Sequence, residues 1–336
     1  LRILVTGGAG FIGSNYLLMM ADKYPGDCFI NVDSLTYAGN LKNLISLEDR
    51  LNYIFYKVDI CDSAALEAIF QKEKPDAIIH FAAESHVDRS IENPLIFAET
   101  NVLGTINLIN YACRYGVSRY VQVSTDEVYG SLGREGLFTE NTPLMPNSPY
   151  SASKASADCF VRAAVETYGL NASITRCSNN YGPYQFPEKL IPLMIWRAIE
   201  NMPLPLYGDG LNIRDWLYVD DHCRAIDTVL RQGQAGEVYN VGGNNERTNL
   251  EIVKEVLRIL NKSDSLIQFV TDRPGHDRRY AIDSSKIKRH LNWVPNTNFW
   301  DGIGKTVQWY LNNERWWREI ISGEYQSYYS DMYNNR

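Results

Sequence analysis

Arg2-Ile3-Leu4-Val5-Thr6-Gly7-Gly8-Ala9-Gly10-Phe11-Ile12-Gly13 opens the chain with a buried-strand pattern. It runs straight into closely spaced glycines and then a helix through about Lys23. Gly7, Gly10 and Gly13 make a GxxGxxG. Gly7 allows a tight turn, Gly10 lets backbone approach a pyrophosphate, and Gly13 lets helix pack on sheet, while the helix N–H groups receive phosphate charge. Taken alone, the same spacing also suits a structural glycine turn. A second strand, Cys28-Phe29-Ile30-Asn31-Val32-Asp33, ends in an acid twenty positions after Gly13. That places Asp33 for the adenosine ribose hydroxyls of a dinucleotide. A carboxylate there repels a 2′-phosphate, and Ser34, Leu35 and Thr36 bring no arginine to receive one. NAD is therefore expected over NADP.

The alternation continues. A strand around Tyr53 to Val58 ends at Asp59-Ile60, a helix follows from about Ser63 to Lys72, and a strand spans Asp76 to Phe81. The pattern predicts an α/β fold built on a doubly wound parallel sheet of Rossmann type. Behind the fourth strand, Ala82-Ala83-Glu84-Ser85-His86 offers small residues where backbone can approach a cofactor, then polar ones. His86 reads equally as a ligand contact or a solvated loop histidine. One long helix is expected from about Pro94 to Tyr115, carrying Thr100 and Asn101 among apolar positions. A sixth strand is expected at Ala172 to Arg176, after which the alternation becomes irregular. The boundary is placed there: residues 1–177 form a dinucleotide-binding domain carrying the catalytic groups. Residues 178–336 form a smaller mixed α/β substrate domain, some of whose segments return to the first.

Two segments carry the chemistry. Ser124-Thr125-Asp126-Glu127 follows the apolar run Tyr120-Val121-Gln122-Val123, so it leaves the carboxyl end of a strand, where open α/β sheets place ligands. On a regular strand Asp126 and Glu127 would face opposite ways, so both serve one site only if the chain has already turned. Pro146-Asn147-Ser148-Pro149 then starts a helix with Ser148 as N-cap, and Tyr150 and Lys154 share one face of it. A tyrosine hydroxyl, with a pKa of about 10, is a poor base at neutral pH, and an ammonium one turn away favours its phenolate. Behind a phosphate-binding glycine loop, that pair reads as catalytic rather than as a chance surface contact.

Composition narrows the classes. The chain has 336 residues, 45% of them hydrophobic and 22% charged, with a net charge of -7. That balance suits a globular protein and argues against a general nucleic-acid or anionic-membrane surface. Its six cysteines are widely spread with no CxxC, and no secretory leader is evident, so reduced thiols in a cytoplasm are expected. No apolar run approaches membrane-spanning length. The first residues already read as a strand without an initiator Met, so a short preceding piece is expected. There is no GxxxxGK[ST], no HExxH or paired metal spacing, and no GxSxG, which leaves metal-free hydride chemistry. In the second half, Lys189, Arg214 and Arg273 stand in polar loops as candidates to neutralise a diphosphate.

Together the glycine loop, the Ala82 to Ser90 segment, Thr125-Asp126-Glu127, Tyr150 with Lys154, Asn179 to Leu190 and Asp272 to His276 resemble the extended short-chain dehydrogenase/reductases acting on nucleotide sugars. The resemblance covers essentially the whole chain, and the acid pair after Thr125 points to the 4,6-dehydratase branch. It implies conversion of dTDP-glucose to dTDP-4-keto-6-deoxyglucose. Tyr150 would take the 4-OH proton while C4 gives hydride to a tightly bound NAD, with Thr125 holding the 4-oxygen and Lys154 lowering the tyrosine pKa. Glu127 would then remove the C5 proton as Asp126 protonates the departing 6-OH, and hydride would return to C6.

The resemblance further implies NAD contacts from Gly7, Gly10, Phe11, Ile12, Gly13, Asp33, Ser34, Thr36, Asp59, Ile60, Ala82, Ala83, Thr100, Tyr150, Lys154 and Asn180. It implies nucleotide-sugar contacts from Ser85, His86, Thr125, Asn179, Lys189, Leu190, Pro205, Tyr207, Arg214, Asn249, Arg273 and His276. A homodimer through helices near 94–115 and 149–168 is implied as well. A 4-epimerase or decarboxylase of nucleotide sugars would share Tyr150 and Lys154 without needing the acid pair, and a non-catalytic dinucleotide sensor would need none of the four.

Overall fold

In the computed structural model, which describes residues 1–272 and 275–322, the apolar runs become strands of one parallel sheet. The chain opens with β1 (Arg2–Thr6), α1 (Phe11–Lys23), β2 (Cys28–Asp33), β3 (Tyr53–Lys57), α2 (Ser63–Glu73) and β4 (Ala77–His80). Then come α3 (Val87–Glu92), α4 (Pro94–Phe97), α5 (Gly104–Arg114), β5 (Arg119–Thr125), α6 (Pro149–Tyr168) and β6 (Ala172–Cys177). The rest comprises β7 (Asn179–Tyr181), α7 (Leu190–Ile199), β8 (Leu204–Tyr207), β9 (Ile213–Tyr218), α8 (Val219–Gln232), β10 (Val238–Val241), β11 (Glu246–Thr248), α9 (Asn249–Ile259) and β12 (Ile267–Val270). Helices α10 (Ser285–Leu291), α11 (Phe299–Asn312) and α12 (Glu314–Ile321) close the described chain.

The large sheet runs β3-β2-β1-β4-β5-β6-β10, every neighbouring pair parallel. Its strand order reverses between β1 and β4, and a sheet wound outward in both directions leaves a crevice at the carboxyl ends there. The sheet is covered on both faces and its inner strands are largely apolar: one core packs α1 and α8 on one face, another packs α2, α5 and α6 on the other. A mixed sheet β11-β9-β7 and a parallel pair β12-β8 build the smaller region, with a third core from α7, α9, α11 and α12. β10, from far along the chain, extends the large sheet beside β6.

The expected helix from Pro94 to Tyr115 is interrupted by a wide π turn over Ala98–Leu103. Its cause is local. Gly104 is pressed so close to Ile60 that an added Cβ would sit 2.5 Å from the isoleucine Cδ1. Thr105 Oγ1 also donates to the Asn101 carbonyl at 2.6 Å. The turn swings Asn101 inward, where it accepts from Glu84 N at 2.8 Å and donates to Ser153 Oγ at 2.8 Å. The segment behind β4 is thereby tied to helix α6.

Candidate active site

The carboxyl ends of β1, β2, β4 and β5, the start of α6 and the loops after β6 enclose one cleft of about 690 Å3. Its floor is main chain. Gly7 turns at φ +70°, and a Cβ there would meet Ala82 N at 2.6 Å; at Gly13 a Cβ would meet Gly7 O at 2.3 Å. Nothing larger than glycine fits either place without moving backbone. The N-terminus of α1 has no side-chain cap, so the N–H groups of its first turn face the cleft with partial positive charge. Asp33 is held by two backbone donors, Ala9 N at 2.9 Å and Leu35 N at 2.8 Å, one to each carboxyl oxygen. The remaining lone pairs suit ribose hydroxyls. Ser34, Thr36, Asp59, Ile60, Ala82, Ala83, Thr100 and Asn180 line the same cleft with Gly10, Phe11 and Ile12. These residues fit a dinucleotide.

On the other wall, β5 ends at Thr125 and the chain at once winds into a 3-10 turn, Asp126–Tyr129, capped by the Thr125 hydroxyl. The turn separates the two carboxylates into different surroundings. Glu127 lines the cleft. Asp126 does not; it is 1% exposed, and its Oδ2 has no hydrogen-bond partner. Burial, then the charges of Glu127 and Asp215, push its pKa well above the usual carboxylate range, with Arg214 opposing. Burial thus favours the protonated form of Asp126, while its neighbour Glu127 faces the cleft.

Helix α6 begins with a reciprocal capping box between Ser148 and Ser151, with Pro149 in its first turn. This sets Tyr150 and Lys154 on the cleft. Desolvation, then the charge of Glu127, pushes the Tyr150 hydroxyl well above its ordinary pKa, while a hydrogen bond with Thr125 works the other way. Lys154 Nζ donates to the Val123 carbonyl at 2.7 Å, and burial lowers its pKa. Lys154 is thus anchored on a backbone acceptor of β5, on the same helix face as Tyr150.

The residues expected to hold a nucleotide sugar fall into two groups. Ser85, Thr125, Asn179 and Lys189 line the cleft, Lys189 Nζ donating to Ser85 O at 2.8 Å. Leu190 starts α7 directly behind Lys189. Pro205, Tyr207, Arg214, Asn249 and His276 lie outside the lining of that cleft, in the smaller region. Tyr207 packs its ring against His276 at 6.2 Å. Arg214 donates to the Ile213 and Asp277 carbonyls and stacks over Tyr280 at 4.4 Å. Asn249 begins α9, with its Oδ1 buried and unpartnered. His86 does not line the cleft either: it caps α3 by accepting from Arg89 N and stands 3.9 Å from Glu188. Arg273 lies outside the described residues.

Sequence reading missed Tyr37, Gln185, Phe186 and Glu188, all of which line the cleft. Aromatic and amide residues in two distant loops give no local signal of convergence. Among the described residues no group of histidine, cysteine and acidic side chains could hold a metal ion, and no helix is long and apolar enough to cross a membrane.

A parallel sheet carrying a glycine-rich dinucleotide cradle, with a Thr, Tyr and Lys set facing it, defines the extended short-chain dehydrogenase/reductases. Within that class the chain belongs to the nucleotide-sugar 4,6-dehydratase family: the model of the GDP-mannose 4,6 dehydratase family matches residues 4–306. It is 53% identical to dTDP-glucose 4,6-dehydratase of Xanthomonas campestris pv. campestris (strain B100), over 96% of this chain and 97% of that protein. Among solved structures it resembles dTDP-glucose 4,6-dehydratase from Bacillus anthracis str. Ames in complex with NAD, at 53% identity and a TM-score of 0.90 over 95% and 99% of the two chains. It also resembles DesIV, the dTDP-glucose 4,6-dehydratase from Streptomyces venezuelae with NAD and TYD bound, at 51% identity and a TM-score of 0.93 over 95% and 100%.

Proposed function

We propose that the chain converts dTDP-glucose to dTDP-4-keto-6-deoxyglucose with a retained NAD, in the manner of the dehydratases it resembles. The observation that carries this is the split carboxyl pair: Asp126 buried, with its pKa raised, and Glu127 open to the cleft, both beside Thr125 and Tyr150. NAD held over the glycine floor supplies the hydride acceptor for C4 and the donor for C6. Tyr150 takes the 4-OH proton as its phenolate, the form that the hydrogen bond with Thr125 favours, and Thr125 hydrogen-bonds the 4-oxygen. Lys154, fixed on Val123 O, supplies positive charge at the base of α6.

Once C4 is a carbonyl, the adjacent C5–H is acidic, and Glu127 is the carboxylate open to the cleft to remove it. The 6-OH leaves poorly as hydroxide, so it needs a proton, and Asp126 is the neighbouring group that carries one. Water departs and the C5–C6 double bond forms. After reduction at C6, Glu127 returns its proton to C5. Lys189 and Arg214 are the cations that meet the diphosphate, with Ser85 and Asn179 on the sugar side.

We further assign a homodimer through the 94–115 and 149–168 helices, where Leu95, Leu103 and Phe160 are 64%, 55% and 45% exposed. Six free cysteines suit a reducing cytoplasm. The activity is tested by incubating dTDP-glucose with the purified protein and no added NAD: loss of one water supports it. Conversion without mass change to the galactose configuration would replace it with epimerisation.

A further inference from the structure

The loop that follows β2 crosses the cleft from the cofactor floor to the loop that precedes α7. On the floor side it is tied to the glycine turn: Asn40 N and Asn43 Nδ2 both donate to Ala9 O, at 3.0 and 3.1 Å. On the far side Tyr37 Oη donates to Glu188 Oε1 at 3.1 Å, although the two residues are 151 positions apart. The Arg89 guanidinium lies 3.8 Å over the centre of the Tyr37 ring and reaches Glu188 Oε2 at 3.5 Å. The Phe186 ring meets Tyr37 edge-on at 5.3 Å. Tyr37, Phe186 and Glu188 all line the cleft alongside Asp33, Ser34 and Thr36.

This is a built contact rather than an incidental one. Glu188 is 6% exposed, and a buried carboxylate is costly unless partners hold it. The tyrosine hydroxyl and the guanidinium are two of those partners, beside the positive charge of Lys189, and the guanidinium also gains from the ring face. Each of the three side chains therefore fixes the other two. Because the bridge shares the cleft with Asp33 and the glycine floor, a ligand whose adenosine end reaches Asp33 lies beside it.

We propose that Tyr37, clamped by Arg89 and Glu188, is a cofactor-retaining residue that closes over the adenosine end of NAD and sets its residence time on the protein. The proposal rests on the NAD-dependent function assigned above. The need is chemical: a hydride taken from C4 of one sugar must return to C6 of the same sugar, so the cofactor must outlast every turnover. Tyr37 takes no part in proton transfer and acts only on how long the cofactor stays.

The test is exchange of bound NAD against isotopically labelled NAD, followed by mass spectrometry of the nucleotide that remains with the protein after rapid gel filtration. Tyr37→Phe keeps the ring and loses only the hydroxyl bond to a carboxylate, so exchange should quicken by about tenfold. Tyr37→Ala loses the ring seat for Arg89 as well, and should exchange about 10²-fold faster. Exchange at the original rate in both variants overturns the clamp while leaving the functional assignment intact. If the unaltered protein neither carries nor takes up NAD, both fall together.

Discussion

The floor and the roof of the cleft are made in different ways. The floor is strand ends and the first turn of α1, where main chain touches main chain and an added Cβ at Gly13 would fall 2.3 Å from Gly7 O. The roof is loops drawn together by side chains: Tyr37 to Glu188 and Lys189 to Ser85 O. A floor fixed by backbone gives one geometry and resists any change of volume. A roof fixed by side-chain pairs can open one pair at a time, which suits a site that admits one ligand each turnover while keeping another. The reacting carboxyls stand at the seam between the two.

The largest effect should come from that seam. Asp126→Asn keeps a neutral buried group of the same shape but removes the proton, so elimination should slow by about 10² to 10⁴-fold with NAD binding unchanged. Steady-state rates with nucleotide content measured in parallel check it. Because burial raises the Asp126 pKa, the acid keeps its proton to higher pH than an exposed aspartate does, and the elimination rate falls as pH rises through that raised value. A pH profile with no alkaline limb assignable to Asp126 would remove its role as the donor.

On the floor, Gly13→Ala forces the helix off Gly7 and should weaken NAD binding by about tenfold to 10²-fold, read by equilibrium titration. Equal binding would mean that the floor is softer than its spacing indicates, and the contrast with the roof would lose its basis.

A smaller effect concerns what supports the floor. His80 is wedged between Thr6 Oγ1 at 2.7 Å and Thr105 Oγ1 at 3.0 Å. Burial, with Lys154 adding to it, lowers its pKa from 6.5 to about 3. A depressed histidine contributes stability that is present above its unfolded pKa and is lost as pH falls from about 6.5 toward about 3. Between pH 7 and pH 5 this one group should remove about 2 kcal/mol. His80→Gln should be less stable at pH 7 yet lose less on acidification, as measured by urea midpoints at both pH values.

The floor was also the legible part. Strand, glycine spacing and terminal acid are local features, so β2 falls on Cys28–Asp33 and α1 ends at Lys23 as read from the residues alone. Ser148 and Pro149 likewise place the start of α6 where capping chemistry puts it. The roof was not legible in the same way. Nothing near Tyr37 announces Glu188, and nothing near Val238 announces that β10 will pair with β6. The π turn goes with a close approach of Gly104 to Ile60, which no periodicity displays. Adjacent residues Asp126 and Glu127 look equivalent in sequence; only the 3-10 turn and the packing beneath it make one an acid and leave the other open.

Whether this adjacent pair divides the elimination between them is tested most directly by a single turnover of Glu127→Gln in D₂O with dTDP-glucose. The near-ultraviolet absorbance of reduced nicotinamide should appear and persist, with no loss of water and no deuterium at C5, because C4 is oxidised but nothing removes the C5 proton. Loss of water with deuterium at C5 at the rate of the original protein would contradict the assignment and require another base in the cleft.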